Sequence, residues 1–298
     1  MTSRLSLTPL ELTDSQFILD LANTEGWQKF LGDSEINSED DAVSYIRNII
    51  ANPNTGYWVV RLQSNHASIG VVTFIKRDYL EFPDIGFAFL AGYVNTGYAY
   101  EATAALLTQV IHEAQYTHIC AIAKASNPPS KKLLNKLGLV FLKEIEVDNM
   151  TLQLYEASMD KIMINHLAKS FFSIFSNKES AQPNFELLRQ ICLPEVLITN
   201  KNGMQVDIFD LGSFIETTQH MLTSGALTEF DEQEISEETK IVKNIATRFS
   251  EYRKSGIVFR QRFHVTGYKC FQFVRVNQSW KICSVLWSDN ETLSQGGN

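Results

Sequence analysis

Three groups of residues in this chain have types and spacings that could do chemistry. The run Val94-Asn95-Thr96-Gly97-Tyr98-Ala99 joins a short apolar strand, Ile85 to Leu90, to a long amphipathic helix that starts near Gly97. A helix N-terminus offers free backbone N–H groups, and a glycine-bearing turn lets an anion reach them, so this turn is suited to phosphate. Asn95 also tolerates positive φ. The plainer reading of Gly97 is a strand-to-helix turn. The second group, Asn127-Pro128-Pro129-Ser130, opens another helix, which ends in Leu137-Gly138. Its prolines fix φ and stiffen the turn. Ser130 stands where an N-cap is expected, and its hydroxyl could also give a proton to a leaving group; both roles are compatible. The third group is acidic. Asp84 opens the strand before the first turn and Glu81 lies three residues earlier; each is a candidate base or a solvated loop acid.

The elements that must position these groups can be read from periodicity. Arg4 to Leu10 alternates at period two and reads as a strand. A helix capped at Thr13-Asp14 runs to Ala22. Ser38, with Asp41 three residues on, opens a helix whose apolar face carries Ala42, Val43, Ile46, Ile49 and Ile50. Tyr57–Leu62 and Ile69–Ile75 read as strands. After the Gly97–Gln115 helix come a strand at His118–Ala123, a helix at Ser130–Lys136, and strands around Val140–Ile145 and Thr151–Tyr155. Trp58, Tyr79, Phe82, Phe87 and Phe89 are either core or the lining of an acceptor slot.

The pattern resets near Ala157-Ser158. Helices are expected at Met159–Ser176, up to Ile191, and at Phe209–Leu222, with strands at Val196–Thr199 and Gln205–Ile208. Strands then follow at Leu227–Ile235, Ile241–Tyr252, Val258–Val276 and Trp280–Ser288. Phe271, Phe273, Trp280 and Trp287 should bury against the helix of Phe171 and Phe175. Arg260, Arg262 and His264 fall on one face of a strand, either a polar outer face or a cationic patch. Gly267 suggests a bulge. No catalytic constellation is visible among His220, His264 and Asp207. The tail from Glu291 lacks packing residues and is expected to be disordered.

The 298 residues, 44% hydrophobic and 20% charged, are enough for two domains with their own cores. A net charge of −8 argues against nucleic acid as a partner. Cys120, Cys192, Cys270 and Cys283 lack metal-ligand spacing and read as buried reduced thiols, so no metal is expected. There is no leader-like or membrane-length apolar run, so a soluble, cytoplasmic protein without a membrane role is expected.

In its order of elements over residues 4–157, and in Gly97-Tyr98-Ala99, Glu101-Ala102, Asn127, Ser130 and Leu137-Gly138, the chain resembles the GNAT acetyltransferase superfamily, in its ribosomal-protein N-terminal acetyltransferase branch. The resemblance implies acetyl-coenzyme A as cosubstrate. Asn95, Thr96, Gly97, Tyr98 and Ala99 would hold its pyrophosphate, and Asn127 its pantetheine. Ser130 would lie near the sulfur. The backbone N–H groups of Phe89 and Leu90 would polarise the carbonyl, and Asp84 would be the base. The chain departs from the family's motif at Val94, Asn95 and Thr96, where Gln or Arg, Gly and Lys are usual. Residues 159–290 resemble the nuclear-transport-factor-two-like superfamily, near its SnoaL-like members, through Asn244–Tyr252 and Ser279–Trp287.

The expected architecture is an α/β mixed-sheet GNAT-type domain, residues 1–157, followed by an α+β cone of curled antiparallel sheet with helices, residues 158–298. The expected function is direct acetyl transfer to an amine, either a protein N-terminus or a small molecule. No nucleophile motif suggests a covalent intermediate. The second domain would bind a ligand or form a homodimer. The competing reading is a weak or inactive acyl-coenzyme A sensor.

Overall fold

The computed structural model describes residues 2–30, 35–113 and 116–290. The chain divides into two compact units between Ile162 and Met163. The tail expected to be disordered lies outside the described residues.

The first unit is built on seven strands: β1 (Leu5–Pro9), β2 (Thr55–Leu62), β3 (Ser68–Ile75), β4 (Asp84–Phe89), β5 (His118–Ala123), β6 (Val140–Val147) and β7 (Met150–Ser158). Their spatial order is β1-β2-β3-β4-β5-β7-β6. Every neighbouring pair is antiparallel except β4 and β5, which run parallel. One face is covered by α4 (Tyr98–Glu113) and α5 (Pro128–Leu137), over Leu5, Val60, Val72, Ile85, Leu106 and Ile119. The other carries α1 (Ser15–Ala22), α2 (Glu25–Phe30) and α3 (Glu39–Ala51), over Ile18, Leu21, Ile46, Val59 and Val71. Alternation of side chains along each strand feeds both cores.

Local chemistry explains the helix ends. Ser38 accepts from the Asp41 N–H (3.2 Å), and the Asp41 carboxylate accepts from Asn37 N–H, closing the entry to α3. Ala42 and Ile46 are buried there, whereas Ile50 turns to solvent at 56% exposure and leaves the expected apolar face. Helix α5 begins two residues before Ser130. Its N-cap is Asn127, whose Oδ1 accepts from Ser130 N–H at 3.2 Å, with the prolines at the first helical positions. Gly138, at φ +98°, closes α5 in the left-handed conformation.

The second unit follows within α6 (Met159–Ile174). It contains α7 (Phe185–Ile191), β8 (Cys192–Asn202), β9 (Gln205–Phe209), α8 (Leu211–Thr223), β10 (Leu227–Val242), β11 (Ile245–Val258), β12 (Gln261–Val276) and β13 (Ser279–Asp289). The strand order is β10-β11-β12-β13-β8-β9, so the sheet has two edges and is not a closed barrel. It is mixed rather than purely antiparallel, because β13 and β8 run parallel.

Residues 235–241 do not break the strand as expected. Ile235 sits at a register shift and the acidic run beyond it continues β10, a charged edge strand. The expected strand from Val258 instead turns at Phe259-Arg260, both at positive φ. Arg260 therefore leaves the face assigned to it, and Arg262 pairs with Glu229. Gly267 keeps regular register, and the irregularity falls at Gln272/Phe273. Gly267 answers close packing instead: a Cβ there would lie 2.5 Å from the Ser288 carbonyl oxygen. Phe171 packs edge-on against Phe271 (5.2 Å), and Phe273, Trp280 and Trp287 join the same core. Cys120 and Cys192 are buried, Cys270 and Cys283 only half-buried. No helix among the described residues is long and apolar enough to cross a membrane.

Candidate functional site

The parallel pair β4 and β5 carries a single ladder register, Asp84 opposite Cys120. At that point the two strands are tied: Cys120 N–H donates to the Pro83 carbonyl at 2.9 Å. Beyond it they splay. The N–H of Ile122, which a continuing ladder would consume, donates to the Asp84 side chain instead, 3.3 Å from Oδ1. Between β4 and β5 there is therefore a wedge, closed at Asp84 and open toward the C-terminal ends of both strands.

Main-chain groups facing this wedge can be assigned from register. Leu90 N–H donates to the Ile69 carbonyl of β3 at 3.0 Å. Antiparallel alternation then turns the N–H and C=O of Phe89 and Phe87 the other way, toward β5. The expected pair of donors is thus corrected: Phe89 faces the wedge and Leu90 does not. The order of strands hid this, since which N–H points where depends on pairing with β3.

At the open end the chain passes through the 93–97 turn into α4. Asn95 (φ +60°) and Gly97 (φ +85°) both take the left-handed conformation. Thr96 Oγ1 closes the turn by donating to the Tyr93 carbonyl at 2.7 Å. Tyr98 and Ala99 begin α4, so their N–H groups belong to a free helix N-terminus. Arg4, read in the sequence only as part of the first strand, also reaches this turn. Its Nε donates to Glu101 Oε2 (2.7 Å), its Nη1 to the Thr96 carbonyl (3.4 Å), and its guanidinium lies 4.6 Å from the Tyr98 ring centre. It brings a cation beside a turn that has threonine where the family's lysine is usual. It also offsets the Glu101 charge in the first turn of α4. A lone arginine before a strand gave no signal of this, because the partners lie more than ninety residues away.

Asp84 is not a solvated loop acid. It is 3% exposed and its Oδ2 accepts from Arg77 Nε at 2.7 Å. Burial pushes its pKa up, against the opposing pull of Arg77 and the Ile122 N–H. Tyr45 and Tyr57 lie nearby in electrostatic terms, hydroxyl to hydroxyl at 3.4 Å, and burial raises both phenols. They went unnoticed because an alternating strand aromatic and a helix-face tyrosine look like packing. Glu81 is exposed.

Asp84 and the 95–99 turn are not brought together. Asp84 and Phe89 stand at opposite ends of β4, about 17 Å apart at some 3.3 Å per residue, and the turn follows beyond Phe89. Asn127 and Ser130, past the end of β5, share the open end with the turn. The expected aromatic slot does not assemble either. Trp58, Phe87 and Phe89 pack on the α4 side of the sheet, Phe82 lies in a tilted contact with His118 (4.9 Å), and Tyr79 is half exposed by Arg77. The thiols take no part: burial pushes Cys120 and Cys192 up to about 12.

Residues 4–140 match the family described as acetyltransferase (GNAT) domain. An uncharacterized N-acetyltransferase of Bacillus subtilis, YnaD, is 28% identical over 138 residues, 46% of this chain and 80% of that protein. Among solved structures, a GNAT-family acetyltransferase from Bacillus anthracis is 21% identical, with a TM-score of 0.47, over 54% of this chain and 98% of its own. A Vibrio cholerae spermidine N-acetyltransferase, solved with CoA and spermine, is 18% identical with a TM-score of 0.47 over the same shares.

Proposed function

We propose that the GNAT acetyltransferase domain of residues 4–140 moves an acetyl group directly from acetyl-coenzyme A to an amine. The observation that carries this reading is the wedge: two parallel strands joined at one register, with main-chain groups facing the gap and a left-handed glycine turn at its mouth.

Acetyl-coenzyme A supplies an activated thioester carbonyl and a thiolate leaving group. The chain's residues do the rest. The N–H groups of the 95–99 turn hold the pyrophosphate, with Arg4 offsetting nearby negative charge. The Phe89 N–H, aimed into the wedge, polarises the carbonyl oxygen. Asn127 fixes the entry to α5 and borders the pantetheine path, so that Ser130 faces the departing sulfur and returns a proton to it. Asp84, made more basic by burial, lies about 17 Å along β4 from Phe89 at some 3.3 Å per residue, so it takes the amine proton only through a relay of several waters. An α-amine has a pKa of about 7.7–8.0, so a modest base suffices. The acceptor class is an amine, a protein N-terminus or a small molecule. For the second unit we propose a ligand-binding or dimerising role, as its likeness to the nuclear-transport-factor-two-like superfamily implies.

Two measurements test the reading. Acetyl-coenzyme A should raise the melting temperature of the wild type but not of Gly97→Val, since a β-branched residue is strained at φ +85°. Free thiol should be released from acetyl-coenzyme A when peptides or polyamines are offered. A melting curve indifferent to the cofactor sinks the proposal. Binding without thiol release for any amine would instead favour the sensor reading.

A further inference from the structure

The second unit has a groove of about 690 Å³, bounded by Lys178 in the turn after α6 and by positions on β10, β11 and β12. That is within the roughly 300–1,000 Å³ range of small-molecule pockets. Its lining is unlike an apolar pocket: Lys178, Arg253 and Lys254 line it beside the carboxylate of Asp231, with His264 next to them. In a chain of net charge −8 this local excess of cations is out of keeping with the whole.

The hydrogen bonds leave part of that excess uncancelled. Arg253 Nη2 donates to Gln233 Oε1 at 2.9 Å, and Gln233 Nε2 donates to Asp231 Oδ2 at 2.8 Å. The neutral amide thus stands between the guanidinium and the acid. Lys254 faces inward to Asp289 at 2.7 Å, and Asp289 also accepts from the buried Tyr252 hydroxyl at 2.5 Å. Behind that lies a second pair, Lys269 with Glu232 at 2.8 Å, both side chains at most 6% exposed. Burying the Lys269–Glu232 pair costs desolvation, which its contacts must offset.

We propose that this groove binds a small oxyanion-bearing ligand, a phosphate ester or a polycarboxylate, with Arg253 and Lys178 as its charged contacts. This deepens the ligand-binding role proposed for the second unit and is independent of acetyl transfer.

The test is calorimetric titration of the full chain carrying Gly97→Val, so that the first unit's turn does not compete, with inorganic pyrophosphate in one arm and citrate in the other. Saturable binding of either, weakened at least tenfold by Arg253→Glu and by Lys178→Glu but not by the charge-matched Lys240→Glu, supports the inference; the arm that binds names the class. Both groove variants are surface changes, and unaltered melting temperatures confirm folding. No saturable binding in either arm, or binding that Lys240→Glu weakens as much, overturns it. That outcome leaves the acetyltransferase reading untouched and shifts the second unit's role to dimerisation.

Discussion

Asp84 shows how one carboxylate's role depends on its surroundings. Burial holds its pKa above the usual carboxylate range. Below that pKa it is protonated and cannot accept a proton; as pH rises through it, the base forms and the rate climbs. At still higher pH the amine loses its proton unaided. Asp84→Asn should therefore lower turnover most near neutral pH, by about 10²–10⁴-fold if it is the general base, with the deficit shrinking toward alkaline pH. A deficit constant at every pH would remove Asp84 from proton transfer. Gly86, two residues on, answers a different constraint. A Cβ there would lie 2.5 Å from Thr73 Oγ1 on the adjacent strand. Gly86→Ala should cost about 1–3 kcal/mol in urea unfolding. Adding Thr73→Ala should return much of it, a non-additivity expected only for touching residues.

At the scale of elements, the first unit depends on where β4 and β5 part, and the second on what the long strands enclose. Lys269 projects from β12 among four aromatic rings, those of Phe171, Phe172, Tyr252 and Trp287, at 4.8–5.4 Å. Burial drags its pKa down, and the Glu232 carboxylate pulls the other way. Lys269→Met leaves Glu232 buried without a counter-charge, and should destabilise the unit by about 3–5 kcal/mol. The double change with Glu232→Leu should recover most of that, measured by denaturant midpoint. If the single variant is as stable as wild type, the pair contributes nothing to stability.

For the whole molecule, each unit has its own apolar core: Phe171, Phe271 and Trp280 in the second, and two layers about the sheet in the first. Scanning calorimetry of the full chain should resolve two transitions. A ligand that binds only native protein at a hundredfold excess over its Kd adds about 2.7 kcal/mol to the unit that holds it. Acetyl-coenzyme A should therefore move one transition and leave the other in place. A single transition displaced as a whole would show that the units unfold together.

The features legible in the sequence are those that neighbours along the chain decide. The glycine turn at 97, the Asn127-to-Gly138 helix with its proline entry and left-handed exit, and the period-two strands all rest on residues within a few positions of each other. Their matching to the family's motif then pointed to acetyl transfer. Tertiary structure decided the rest, because burial and register depend on distant partners. Pairing with β3 turned Phe89 into the wedge and Leu90 out of it. Arg77 and the Ile122 N–H converted a seeming loop acid into a buried carboxylate at the wedge's closed end. Arg4 reached the 93–97 turn through contacts with Thr96 and Glu101. In the second unit, Lys269 and Glu232 met across 37 residues of chain. No local pattern records such a pair, since each residue alone looks like an ordinary charge on a strand.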